Sequence, residues 1–384
     1  MASTSPNLPL KQSFCQLNYS DQWVLKQLKL DQFIVDPSLS LEIGGLQRYG
    51  KAGADGYAYT GSDGGLVSLL AVDAFGPDYQ LQQIFRNVVH ESALLTFPKM
   101  LDSFTPSVAE NPAFCSLEHD FYYSAVNGQN PVHSLMSHVC KTLTSINQDV
   151  LNKFDVATNS EKGFSSSQRK KTGACYATAH VWKDPNTQKL WLCVANAGDT
   201  SIALKRKGEP ARLLSKVFQD EYRDNDNWVH TEITRYLKFG QGNTQRSQSN
   251  MPDLTGDDKL YLPLVKMVEL NPGDTFMLFS DGLENLIERS DEFRHQCTTK
   301  DWDPSTKIIG KSREILLEKI FAPAVETAEH DALHGSGSTS FIDIASKNLF
   351  IEVKRLLAQV EEEGVEDMID DITAVMVSLQ QDTN

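Results

Sequence analysis

Apolar residues along this chain follow two periods, and the two are segregated rather than interleaved. Asp55 to Tyr59, a turn at Gly61-Ser62-Asp63-Gly64-Gly65 and the run Leu66 to Val72 predict a hairpin. Ala174 to Trp182, Leu190 to Ala195 and Ser201 to Leu204 predict an antiparallel meander, punctuated by Asp184-Pro185-Asn186, by Asn196 to Asp199 and by Lys205 to Gly208. Leu81, Ile84, Phe85 and Val88 recur at helical spacing, as do Leu135, Val139, Leu143, Ile146, Val150 and Phe154, so two helices should cover one sheet face. Two more helices are marked by Ile315, Leu316 and Ile320, and by Ala345, Leu349, Val353, Leu356 and Val360. Strands come in groups and helices in groups. That predicts an α+β fold of two packed, mainly antiparallel β-sheets flanked by helices, not a doubly wound parallel sheet.

Other stretches carry weaker patterns. Residues 1–47 show mixed patterning and are expected to be an N-terminal extension packed on a domain spanning 48–380. Insertions are expected at about 96–132, which has no clear period, and at 218–258, which is polar apart from a short helical piece around Trp228 to Leu237. Ser165 to Lys171 has no apolar face and reads as a surface loop, and His334 to Ser340 as a flexible connection. The latter lacks both the preceding strand and the lysine of a P-loop. His330 and His334 have helical metal-ligand spacing but no patterned third ligand, which favours solvent exposure over zinc. Glu361-Glu362-Glu363 reads as the solvated end of the last helix.

With 51 acidic against 36 basic residues the formal charge is −15, which removes the electrostatic footprint of a nucleic-acid binder. The start lacks a signal-peptide pattern, and no run of about 18 apolar residues suggests a membrane span. Six cysteines (Cys15, Cys115, Cys140, Cys175, Cys193, Cys297) show no C-x-x-C spacing, and Cys175 and Cys193 fall inside apolar strands. Reduced thiols and an intracellular, cytoplasmic location are the expectation.

The chemistry lies in the aspartates. Leu66 to Val72 runs into Asp73, Thr275 to Ser280 runs into Asp281, Ile372 to Leu379 is preceded by Asp370 and Asp371, and Asp199 sits between two apolar runs. If the fold gathers these ends, carboxylates about 4 Å apart repel by roughly 4 kcal/mol per pair at an effective dielectric near 20. Such a cluster calls for cations, and hard oxygen donors suit Mg²⁺ or Mn²⁺ rather than zinc.

Four segments, in order, resemble motifs of the metal-dependent Ser/Thr protein phosphatases, the type 2C or PPM family. Ala71-Val72-Asp73-Ala74-Phe75-Gly76 is similar to its D-G-H-G turn, Val194-Ala195-Asn196-Ala197-Gly198-Asp199 to V-A-N-x-G-D, Leu278-Phe279-Ser280-Asp281-Gly282-Leu283 to S-D-G-L, and Asp370-Asp371-Ile372-Thr373 to D-D-x-T. Gly173-Ala174-Cys175 resembles a weakened G-T-T strand start, and Asp55 the second acid of the E-D motif. The resemblance spans roughly Arg48 to Leu379 and implies an α/β/β/α sandwich. It further implies two Mg²⁺ or Mn²⁺ ions, with a weaker third, held by Asp55, Asp73, the carbonyl of Ala74, Asp199, Asp281 and Asp370. Asp73, Asp281 and Asp370 would act catalytically through metal-bound water, a metal-bridging hydroxide attacking phosphoserine or phosphothreonine.

The chain also departs from that pattern. The first acid of the E-D pair is Ala54, the glycine after the metal aspartate is Ala74, and the following histidine is Phe75. Gly50 stands at the phosphate-binding arginine's place, leaving Arg48 or Lys51 as substitutes. Ser201 replaces an arginine, Leu214 to Phe218 replaces L-x-x-D-H, and no S-R-A-x-G-D run occurs between Phe239 and Lys259. Two functions follow: a phosphatase acting on phosphoproteins, or a catalytically impaired pseudophosphatase that binds a regulatory protein partner. A phosphorylated small metabolite is a third, weaker substrate class.

Overall fold

The computed structural model describes residues 10–14, 22–50, 53–102, 131–159, 163–215, 219–223, 229–233, 237–238, 264–290, 293, 308–334, 339–364 and 369–381. Strands β1 (Lys11–Phe14), β4 (Asp55–Gly61), β5 (Val67–Phe75), β6 (Gly173–Lys183), β7 (Leu190–Ala197) and β13 (Leu264–Leu270) line up in the order β1-β4-β5-β6-β7-β13. A short β12 (Leu237–Lys238) pairs the start of β6. A second sheet has the order β2-β3-β15-β14-β8-β9, from β2 (Val24–Asp36), β3 (Leu39–Tyr49), β8 (Ser201–Lys205), β9 (Arg212–Leu213), β14 (Thr275–Phe279) and β15 (Ile372–Gln381). All pairings among the described strands are antiparallel.

Alternation along the strands sorts the apolar residues into three cores. Leu69 and Ala71 of β5, Tyr57 of β4 and Ala177 and Ala179 of β6 point between the sheets, where they meet Ile43, Leu278 and Val375. Leu70 and Val72 point the other way, under α1 (Tyr79–Asp102) and α2 (Pro131–Ala157). Phe85 and Phe154 join those helices edge to face at 4.8 Å. On the far face of the second sheet lie α4 (Gly282–Glu288), α5 (Ile308–Ile315), a π-helical turn Leu316–Phe321 running into α6 (Ala322–His334), and α7 (Phe341–Glu362). The architecture is helix, sheet, sheet, helix, as the grouping of elements predicted. None of the described helices is long and apolar enough to cross a membrane.

Four expectations need correction. Residues 24–47, expected in an extension, supply β2 and most of β3 of the second sheet, and β15 pairs with β3 along the whole length of β15. The meander breaks after β7: β8 leaves for the second sheet, so Gly198 and Asp199 lie in a crossover between sheets, not in a hairpin turn. Trp228 lies outside the described residues, and the piece expected as helix contains β11 (Val229–Ile233), paired with β10 (Gln219–Arg223), and β12. Val229, Thr231 and Ile233 place β-branched residues at every second position, a strand period. The Ser165 to Lys171 stretch forms the short helix α3 (Ser166–Lys170), held by a capping box in which Ser165 and Gln168 satisfy each other's backbone amides. Most of both expected insertions lies outside the described residues, although residues 96–102 belong to α1.

Candidate metal centre

The cluster is built where both sheets end on the same side. In the first sheet Asp55 stands directly opposite Asp73, and Asp73 directly opposite Cys175, so three side chains form one cross-strand row on the face that looks toward the second sheet. The next position of that row is Gly198, whose φ of +86° suits glycine. A β-carbon there would collide with the Cys175 Sγ and stand 2.5 Å from its Cβ. This close fit fixes the crossover that carries Asp199, which is 1% exposed; burial and then the charge of Asp199 raise the Cys175 thiol well above its usual range.

From the second sheet come Asp281, at the junction of β14 and α4, and Asp370, just before β15. Ser280 and Thr373 tie these two ends together: Ser280 N donates to the Thr373 carbonyl and Thr373 N to the Ser280 hydroxyl, both at 3.0 Å. Gly282 allows the approach, since a β-carbon there would overlap the Asp371 carbonyl. The Asn285 amide donates to Asp281 Oδ2 at 3.2 Å, while Asp281 Oδ1 is buried without a hydrogen bond.

The expected acids are close enough to act on one another's charge. Burial raises Asp55 well above the carboxylate range, followed by the charges of Asp371 and Asp370. Asp73 is likewise raised by burial and then by Asp55, Asp281 and Asp199. Burial and then Asp199 and Asp370 raise Asp281; burial and then Asp199 raise Asp370. Both Asp55 oxygens are buried without a hydrogen bond of good geometry. Among the described residues, however, no group of three or more His, Cys, Asp or Glu side chains closes to metal-holding distance.

The remaining expected site residues fare differently. Ala74 is a β5 residue without positive φ, the condition under which alanine tolerates the glycine position, and its N–H donates to the Ala54 carbonyl at 3.4 Å. Arg48, expected to hold phosphate, is 1% exposed and turned inward: Nη1 donates to the carbonyls of Ile369 and Asp370 at 3.0 Å each. Lys51 lies outside the described residues. Two site neighbours stand inside the quoted motifs but were not among the expected site residues. Asp371, fully buried, accepts from Gly50 N at 2.9 Å and Ala54 N at 2.7 Å. Cys175 shares the strand parity of Ala177 and Ala179, a signal legible in the alternation alone.

No protein-family model matches the sequence, and no curated protein matches it. Among solved structures, the chain is similar to the catalytic domain of the serine/threonine protein phosphatase PstP in complex with two manganese ions. The TM-score there is 0.39 at 12% identity, over 96% of this chain and 100% of that one. It is similar to a phosphatase from Toxoplasma gondii (TM-score 0.45, 11% identity, 94% and 98% covered). A third similar structure contains the type 2C phosphatase domain of the cell-fate determinant SpoIIE from Bacillus subtilis (TM-score 0.40, 12% identity, 95% and 71% covered).

Proposed function

We propose that this chain is a metal-dependent phosphatase that removes phosphate from phosphoserine or phosphothreonine in proteins. What supports the reading is that Asp55, Asp73, Asp199, Asp281 and Asp370 lie on or beside strand ends of the two sheets, where burial and one another's charge raise Asp55, Asp73, Asp281 and Asp370. Burying that many carboxylates with so few donors is unfavourable for a fold that does not use them.

The donor set fits a hard divalent cation: all oxygen, no histidine, with the Asp55 oxygens and Asp281 Oδ1 lacking hydrogen bonds. Asp55, Asp73, Asp199, Asp281, Asp370 and the Ala74 carbonyl would hold Mg²⁺ or Mn²⁺. Bound there, such ions supply Lewis acidity that activates water and neutralises charge on a phosphoryl group. The protein's own part is to fix the acids on strand ends, keep the first sheet's row facing the second sheet, and surround the cluster with apolar packing. Phe75 brings no proton donor for a departing alcohol at its position.

A second reading, a pseudophosphatase that binds a regulatory partner, is favoured by Ala54 at an acid position and by Arg48 being committed to backbone carbonyls. Calorimetric titration of the metal-stripped protein with Mn²⁺, with phosphopeptide hydrolysis read on the same samples, separates the two. Binding coupled to phosphate release, both lost in Asp73→Asn, is the expected result. Binding without turnover, or none, would establish the second reading.

A further inference from the structure

We propose that Arg48 and Asp371 form a reciprocal latch that positions the acids Asp55 and Asp370, each of which lies on one of the two chain segments the latch joins. The latch deepens the metal-site reading above, because the residues it holds are the expected ligands.

Arg48 and Ile372 are opposite each other in the β3–β15 ladder, and beyond that point the two segments run past one another unpaired. The contacts that bridge them are crossed in polarity. A cation on the first segment reaches carbonyls on the second, through Arg48 Nη1 to Ile369 O and Asp370 O at 3.0 Å each. An anion on the second reaches amides on the first, through Asp371 Oδ1 to Gly50 N at 2.9 Å and Oδ2 to Ala54 N at 2.7 Å. Both side chains are fully buried, and the guanidinium lies 3.5 Å from the centre of the Trp23 ring. A β-carbon on Gly50 would come within 2.5 Å of that ring, so the first segment passes beneath Trp23 only as glycine.

These contacts end on the site itself. Arg48 holds the backbone oxygen of Asp370, Asp371 holds the residue before Asp55, and the Asp371 carbonyl abuts Gly282, the residue after Asp281. The pair of side chains thus sets the segment bearing Asp55 against the one bearing Asp370, and the latter is in turn tied to the Asp281 segment by Ser280 and Thr373. A lysine at 48 keeps the charge but loses the flat guanidinium that lies against the Trp23 ring while Nη1 meets both carbonyls.

The test uses the full chain with Arg48→Met, the milder Arg48→Lys, and Asp371→Asn. Hydrogen exchange is read by mass spectrometry on metal-stripped protein, and Mn²⁺ affinity by calorimetry. Exchange should rise about tenfold across the latch, in 369–372 for the Arg48 variants and in 50–55 for Asp371→Asn, while amides of β6 and β7 keep their protection. Mn²⁺ affinity should fall by about tenfold or more at unchanged protection of β6 and β7. Exchange that rises evenly over all strands, or only on the substituted residue's own segment, would overturn the latch and leave a general packing role. Wild-type protein that takes up no Mn²⁺ would sink the metal reading instead, and the exchange pattern still decides the latch.

Discussion

Gly198→Ala is the sharpest test of how Asp199 is held. The backbone there has φ +86°, and a left-handed conformation costs a non-glycine residue about 1–2 kcal/mol. The new methyl would also collide with the Cys175 Sγ, in a strand where Cys175 is fully buried and cannot swing out. Overpacking of that kind costs about 1–3 kcal/mol, so the expected loss is about 2–5 kcal/mol in total. Urea unfolding followed by circular dichroism and tryptophan fluorescence measures it. Cys175→Ala removes the sulfur, so the two effects separate in a double-mutant cycle: the pair should be about 1–3 kcal/mol better than additive, leaving mainly the backbone term. A loss below about 1 kcal/mol, or strict additivity, would refute the steric account of the crossover.

Other outcomes follow from buried charge. His180, enclosed by Ser68, Thr178 and Phe97, is held by burial at about 3 instead of 6.5. It stays neutral in the fold while the unfolded chain takes up a proton below 6.5, so stability falls as pH drops toward 3. His180→Gln should reduce the loss between pH 7 and pH 5 by about 2 kcal/mol, and an unchanged slope in chemical denaturation would contradict this. Glu284 and Arg313 form a buried pair at 2.5 Å between α4 and α5; Arg313→Met should cost about 3–5 kcal/mol, and Glu284→Leu/Arg313→Met less than that, by the same denaturation assay. Asp73→Asn should raise the melting temperature of metal-stripped protein, since opposite residues about 5 Å apart repel by up to about 3 kcal/mol, while phosphate release is lost.

The layering was legible because strand and helix periods survive burial: Leu81 to Val88 and Ala345 to Val360 form the helices their spacing predicts, and the two lie on opposite outer faces. The acids were legible as strand punctuation. Which sheet each strand joins was not, since Asn196 to Asp199 reads locally as any tight turn, and only the pairing of β8 with β14 makes it a crossover. Arg48 was misjudged for a similar reason. Charge in a sequence suggests a solvent-facing ligand site, whereas the carbonyls of Ile369 and Asp370 that take up its donors come from residues more than 300 positions away. Asp371 stood in plain view beside Asp370, but one period-2 step decides which of two neighbours faces the cluster and which faces the backbone.

The strand order carries a consequence for synthesis on the ribosome. β15, the last strand described, lies in the middle of its sheet, between β3 and β14. At about 5–20 residues per second, the roughly 320 residues between Tyr49 and Ile372 take roughly 16 to 65 s to emerge. Throughout that interval β3 presents an unfilled edge, and β14 presents a second one from its own emergence until β15 inserts between them. The nascent chain thus carries an open β3 edge throughout that interval, and a two-sided slot once β14 has emerged, an open invitation to chaperones or to a neighbouring chain's strand. The aspartate cluster can form only when the slot closes, because Asp370 arrives with the strand that closes it.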